Sequence, residues 1–447
     1  MWSLRRSEFG RASLTSSTPI YPLTRTGRAE LGLPRVGTPA LGAQSDSPLN
    51  GWTPRPGWSA RSGCWAISRT CSSTPCLTEA EPGQDNLELT IEVDHYPTDW
   101  SLPATPARRA TGEHGPPVDL ILDRKAVKKE MVMRAVAVSE YRADARLVDF
   151  DKPKPGPGQI LVRVEAAGMN PMDRAIADGA FSEVFPATFP LILGVDVAGV
   201  VEAVGEGASP YAIGDRVLGK ILSPPLGASG AYADYAAIAT DATVAAVPDG
   251  LSSDVAATLP TPGVTAFQLA RSLEPSGAKT IAVVGAGGAV GGFLTQLLAT
   301  AGARVLADAF PRQADRVRSY GAHEVLDATG APVADQIRRA APGGIDVLVD
   351  LVSDPEQFLV LATTVRSDST AVSTRYVADL EALTKMGIRG LNFVVQATAG
   401  DLQTVAELTA AGQLVPPPIR NVGLDDVADL LYSGGDGFDG KTIVQPS

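Results

Sequence analysis

Three glycines, Gly285, Gly288 and Gly291, stand three residues apart. An apolar run, Thr280-Ile-Ala-Val-Val284, precedes them, and a helix-periodic stretch carrying Phe293, Leu294, Leu297, Leu298 and Ala301 follows. A turn of this composition lets the backbone approach a diphosphate closely, and the N–H groups opening the next helix meet the ligand's charge. Counted from Gly285, the segment Gly285-Ala-Gly-Gly-Ala-Val-Gly291 departs from GxGxxG, because Val290 holds the sixth place. Its position between an apolar strand and an apolar helix makes it a dinucleotide signal rather than a packing feature alone. The candidate binding positions of the loop are Gly285, Gly287, Gly288, Ala289, Val290 and Gly291.

The next strand, Arg304-Val-Leu-Ala-Asp308, ends where a dinucleotide site discriminates between its ligands. An acid there accepts hydrogen bonds from the adenine ribose of NAD, whereas a nearby cation receives the 2′-phosphate of NADP. Asp308 as that acid favours NAD. Alternatively Ala309 holds the discriminating place and Arg312 or Arg316 meets the phosphate. Side chains alternate along a strand, so Asp308 is turned away from the face Ala309 occupies. The residues alone leave the two readings evenly balanced.

These residues need a scaffold, and the hydrophobic period supplies one. After the βαβ unit the alternation continues with a helix near 312–320, a strand at 324–326, a helix at 332–340 and the strand Ile345–Asp350. A helix at 356–365, a strand at Thr370–Ser373, a helix at 377–387 and the strand Leu391–Val395 complete it. Short apolar strands separated by helices predict an α/β, doubly wound parallel sheet of the Rossmann type. Upstream, Arg134–Val138, Leu147–Phe150, Ile160–Glu165 and Gly194–Val204 read as short strands with glycine corners, predicting a small β-rich domain over 131–258.

Composition divides the chain near residue 130. All five Trp and all three Cys lie before Met131, and residues 1–130 carry a net charge of +1 (15 Lys+Arg against 14 Asp+Glu). The remaining 317 residues carry −13 (23 against 36), so a nucleic-acid partner is not expected. The first segment is rich in Ser, Pro, Arg and Gly, and Leu87–Val93 is its one strand-like alternation. It reads as a low-order segment produced by a start codon assigned too early; a disordered tail and an organellar transit peptide are the alternatives. The spacings of Cys64, Cys71 and Cys76 match no common zinc pattern. Residues 131–447 contain no cysteine and a single histidine, His323, read as a surface residue, so zinc-type alcohol dehydrogenase chemistry is excluded. No apolar stretch is long enough to cross a membrane as a helix. The expected location is the cytoplasm.

The chain resembles the zinc-free medium-chain dehydrogenase/reductases, in particular the quinone oxidoreductase (zeta-crystallin-like) family. The resemblance covers about 131–445. It rests on Gly168-Met-Asn-Pro-Met-Asp173, Leu193–Gly205, Gly214-Asp-Arg-Val217, Gly230-Ala-Tyr-Ala-Asp-Tyr235, Leu259–Ala266, the glycine loop, Tyr320-Gly-Ala322 and Gly440-Lys441. It implies a GroES-like substrate domain at 131–258, a Rossmann domain at 259–396 and a return to the first domain over 397–447. It further implies NAD(P)H-dependent, zinc-independent hydride transfer to a quinone. In the alignment it implies, Ala309 holds the place of an NAD-type acid and Arg312 stands where a helix begins, which favours NADPH, with NADH the other possibility. An alkenal or enone reductase of the same fold, or a non-catalytic NADPH-binding protein, are the alternatives. Carried over residue by residue, Asn170 lies near nicotinamide and substrate, Thr265 approaches the nicotinamide, and Lys441 belongs to the closing Gly-Lys element. Ala175 stands where the family commonly has Tyr or Lys, so a polar group of the pocket is missing. Asn170 and Asp173 also have the chemistry to tie off a turn, and Tyr232 and Tyr235 read as core or cleft-wall residues. The partners expected are a small quinone or conjugated carbonyl and a second copy of the chain in a homodimer.

Overall fold

A computed structural model describes residues 132–275, 279–433 and 438–446. The low-order segment, the Leu87–Val93 alternation and the three cysteines lie outside them.

The first half is β-rich. Its elements are β1 (Val132–Val138), β2 (Arg146–Asp151), β3 (Gln159–Gly168), helix α1 (Pro171–Ala177), β4 (Leu191–Ile192), β5 (Asp196–Val204), β6 (Arg216–Lys220), β7 (Tyr235–Ala239) and β8 (Thr243–Ala246). β1 sits between β2 and β4 in a three-stranded antiparallel sheet. β3 pairs with both β5 and β7, and β5 continues to β6 and β8. Alternating Val, Ile and Ala on these strands bury one common core containing Ile160, Val162, Val197, Val217 and Tyr232.

Two helices follow, α2 (Ser253–Ala256) and α3 (Pro260–Leu273). The sequence of α3 opens Pro-Thr-Pro-Gly, which reads as turn chemistry, yet the helix is fourteen residues long. Prolines are tolerated in a first turn because the N–H groups they lack have no intrahelical acceptor there.

The parallel sheet then runs β9 (Thr280–Val284), α4 (Ala289–Thr300), β10 (Arg304–Ala309), α5 (Ala314–Ser319), β11 (Glu324–Asp327), α6 (Val333–Ala340), β12 (Ile345–Asp350), α7 (Pro355–Ala362), β13 (Val365–Ser373), α8 (Leu380–Lys385) and β14 (Arg389–Asn392). Its order, β11-β10-β9-β12-β13-β14, is doubly wound about β9 and β12. Several boundaries differ from the periodicity. The helix expected to reach 365 stops at Ala362, because Val365 already pairs with Ile345. The last strand is Arg389–Asn392 rather than Leu391–Val395. Pro311–Gln313 forms a 3-10 turn ahead of α5.

After α9 (Ala399–Ala410) the chain returns to the sheet that contains β3. β15 (Ile419–Gly423) pairs in parallel with β16 (Lys441–Gln445), α10 (Val427–Tyr432) lies between them in sequence, and β16 adds to β3. The protein therefore combines a GroES-like domain with a Rossmann-type parallel sheet. Among the described residues no helix is long and apolar enough to cross a membrane.

Candidate active site at the glycine loop and a buried charge network

The glycine loop leaves the end of β9 and turns into α4. Gly285 has φ +86°, a left-handed conformation that a side chain disfavours. A Cβ at Gly291 would lie 2.3 Å from the Gly285 carbonyl oxygen, so this position admits only glycine without moving backbone. Gly288 is the N-cap of α4 and supplies no capping side chain. The N–H groups of Ala289, Val290 and Gly291, the first three of the helix, therefore have no helical acceptor. Gly287, Ala289 and Val290 are partly exposed and Gly288 is open to solvent. This is an anion cradle made of backbone, and the diphosphate of a dinucleotide fits its chemistry.

Beside the loop, Asp308 and Ala309 take opposite faces of the sheet. Ala309 is buried with Val305 and Ala307 in the core beneath α4. Asp308 is in the row of Leu306 and is 7% exposed. One of its oxygens, Oδ1, has no hydrogen-bond partner, and burial pushes its carboxyl up to about 6 against a counteracting bond from the Gly285 backbone. The Asp308 backbone carbonyl accepts the Ala286 N–H at 2.9 Å, which ties the strand end to the glycine loop. Arg312 is exposed in the 3-10 turn, its guanidinium 4.7 Å from the Phe310 ring centre. Arg316 donates to the Gly287 carbonyl at 3.2 Å and to Asp439 Oδ1 at 2.8 Å. Gln313 also donates to Asp439.

The second half of the site is a network of buried charges. Asp196, on β5, accepts from Asn170 Nδ2 at 2.9 Å, from Thr261 Oγ1 at 2.6 Å and from the Thr261 N–H at 3.2 Å. It so caps the N-terminus of α3, where no side chain of the helix's own N-cap does so. Lys441 Nζ donates to Asn170 Oδ1 and lies 3.9 Å from Asp196 Oδ2. Lys220 sits opposite Asp196 in the β5–β6 register. Asp173 and Asp196 are fully buried, and Lys220 and Lys441 are each 5% exposed. Burial holds both ammonium groups below the ordinary lysine range, with Asp196 and Asp173 pulling the other way. Asp173 accepts from Tyr232 Oη at 2.6 Å and from the N–H groups of Asn170 at 2.7 Å and Val195 at 3.0 Å. Its carboxyl is still pushed up to about 6, because desolvation outweighs those bonds.

These contacts fix what Asn170 offers. Both its amide hydrogens are spent, on Asp196 and on the Gly168 carbonyl at 3.0 Å, and one Oδ1 lone pair is taken by Lys441. The side chain is locked in orientation and keeps only one acceptor position. Thr265 donates to the Thr261 carbonyl at 2.6 Å, leaving its oxygen free to accept. A cavity of about 410 Å³ opens beside Asn170 and Lys441, walled by Met169, Arg174, Arg420 and Phe438.

The structure therefore joins Asn170 and Lys441 through one hydrogen bond and gathers the six loop positions, Asp308 and Arg312 around the end of the parallel sheet. Thr265 is on α3, one turn beyond Thr261. Tyr232 is a core residue hydrogen-bonded to Asp173, and His323 is exposed. Asp196, Thr261, Lys220 and Asp439 did not stand out in the sequence. The available signal was an aspartate and a lysine interrupting apolar strands, Gly194-Val-Asp-Val and Val217-Leu-Gly-Lys220. A charge at such a place must be partnered when buried. Among the described residues no three or more His, Cys, Asp or Glu side chains gather as a metal ion would need.

The family described as alcohol dehydrogenase GroES-like domain matches residues 156–249, and the one described as zinc-binding dehydrogenase matches 320–430. A quinone oxidoreductase of Homo sapiens is 33% identical over 231 residues, covering 50% of this chain and 68% of that protein. The phthioceranic/hydroxyphthioceranic acid synthase of Mycobacterium tuberculosis (strain ATCC 25618 / H37Rv) is 33% identical over 319 residues, 67% of this chain and 14% of the synthase. Among solved structures, the quinone oxidoreductase of Pseudomonas syringae pv. Tomato DC3000 superposes with a TM-score of 0.61 at 26% identity, covering 70% of this chain and 100% of that one.

Proposed function

Since this chain belongs to the quinone oxidoreductase family of the medium-chain dehydrogenase/reductases, and so is an oxidoreductase, we propose that it transfers hydride from NADPH to a quinone without a metal ion. The observation that carries the reading is the pairing of an open backbone anion cradle with a locked Asn170 at the edge of a cavity. Bound nicotinamide dinucleotide supplies the hydride. The N–H groups of Ala289, Val290 and Gly291 would hold its diphosphate, and Thr265 Oγ1 would accept from its carboxamide. Arg312, exposed beyond β10, would meet a 2′-phosphate, and Ala309 leaves that place without an opposing acid. Lys441 and Asp196 keep Asn170 from rotating, so it acts by position rather than by proton transfer.

The acceptor must suit a site with little acid to give. Asn170 has no free hydrogen, and Ala175 supplies no hydroxyl or ammonium at the place where relatives commonly carry one. A quinone fits, because reduction yields an oxyanion that takes its proton from water. The Met169 wall offers apolar contact to a planar ring, with Arg174 and the stacked Arg420–Phe438 pair beside it.

Steady-state assays with NADPH and NADH, against a simple benzoquinone and a conjugated enone, test the reading. Quinone-dependent NADPH oxidation above enone-dependent oxidation is expected. Turnover of the enone alone would replace the acceptor proposed, and tight nucleotide binding with no turnover of either would make the chain a binding protein.

A further inference from the structure

Position 309 offers no acid to an adenine ribose, yet a carboxylate reaches the same corner from the far end of the chain. Asp439, two residues before β16, lies against the glycine loop. Its Oδ1 accepts from Arg316 at 2.8 Å and from Gln313, and its backbone carbonyl accepts from Arg316 at 3.3 Å. Arg316 in turn donates to the Gly287 carbonyl at 3.2 Å, and Gln313 receives the Phe310 N–H at 3.0 Å. The pair is largely withdrawn from solvent, the Arg316 side chain 16% and the Asp439 side chain 24% exposed. Glycine loop, the turn after β10 and the closing segment thus meet on one carboxylate.

We propose that Asp439 is a specificity-determining residue for the adenosine end of the cofactor. The proposal rests on the nicotinamide dinucleotide reading above. Arg316 is hydrogen-bonded to the loop, and Asp439 already occupies both of its terminal nitrogens. A dianionic phosphate arriving there must displace the carboxylate, with loss of two hydrogen-bonded partners, or sit beside it as a like charge. A ribose 2′-hydroxyl meets neither obstacle and donates to the carboxylate. Asp439 therefore does from the closing segment what NAD-dependent enzymes do from the end of the second strand. Exposed Arg312 pulls toward the phosphate, and Asp439 limits how far that preference goes.

The test is calorimetric binding of NADPH, NADH, 2′,5′-ADP and ADP to the full chain and to Asp439→Asn, Asp439→Glu, Arg316→Gln and the Asp439→Asn/Arg316→Gln pair. Asp439→Asn should tighten NADPH and 2′,5′-ADP about tenfold while changing NADH and ADP less than about threefold. Asp439→Glu should keep the wild-type ratio. Arg316→Gln alone should change the ratio little, and in the pair it should cancel the gain, since the freed guanidinium is what receives the phosphate. Equal weakening of all four ligands by Asp439→Asn would make Asp439 a purely structural tie and overturn the proposal, as would a gain that survives Arg316→Gln. Wild-type protein that binds neither NADPH nor NADH would instead overturn the cofactor reading on which it rests.

Discussion

The glycine loop and the Asp196 network are built by opposite means. The loop presents backbone N–H groups at an open surface and spends no side chain on them. The network encloses two aspartates and two lysines, and in it Asn170, Asp173, Asp196 and Lys441 are tied by side-chain hydrogen bonds. In the function proposed, the first receives a ligand that comes and goes. The second is shaped to prevent motion: Asn170 is held by Lys441 on one side and by Asp196 on the other. Binding here relies on unsatisfied groups, and positioning relies on satisfied ones.

The largest expected effect breaks the second region. Asp196→Ala leaves Lys441 and Lys220 buried without their nearest counter-charge and uncaps α3. Losing one partner of a buried charge network costs about 3–5 kcal/mol. Thermal and denaturant unfolding should show a loss of that size, whereas a change below about 1 kcal/mol would mean the lysines are solvated and the network is not what fixes Asn170.

A contrast within the loop sharpens the comparison. At Gly291 a Cβ would press on the Gly285 carbonyl at 2.3 Å, and at Gly287 it would meet the end of the Gln313 side chain at 1.8 Å. Backbone cannot yield where a side-chain amide can. Gly291→Ala should therefore cost roughly 1–3 kcal/mol of stability and most of the dinucleotide affinity. Gly287→Ala should cost less than half as much in unfolding experiments. Equal costs would mean that the two glycines are not distinguished by what surrounds them.

A third effect is one of pH. Asp308, with its carboxyl raised to about 6, binds a proton in the folded state at pH values where the unfolded chain has lost it. Its stabilising contribution is therefore complete below the ordinary carboxylate pKa and disappears as pH rises through 6. Asp308→Asn keeps an acceptor for Gly285 and removes the titration. Relative to wild type, the variant should gain up to about 2–3 kcal/mol as pH rises from 4 to 7.5. A difference independent of pH would show that Asp308 ionises freely.

Much of this was legible in the sequence where the requirement is local. The six-stranded sheet follows from short apolar runs separated by helical periods, and the loop from glycines that a close backbone turn demands. Alternation along Arg304–Ala309 correctly turned Asp308 from the face of Ala309. What was not legible depends on partners distant in the chain. Asp196 meets Thr261 and Lys441, and Asp439 meets Arg316, across loops whose lengths carry no sign of the pairing. The helix Pro260–Leu273 was hidden for a different reason: proline and glycine in its first turn have the same composition as a loop.

The reaction proposed for this chain is hydride transfer by positioned groups, with no metal ion. The direct measurement is quinone-dependent oxidation of NADPH by protein dialysed against a chelator, with and without deuterium at C4 of the nicotinamide. The expected result is undiminished turnover that deuterium slows by a primary isotope effect. Activity lost on dialysis and restored by zinc would contradict it.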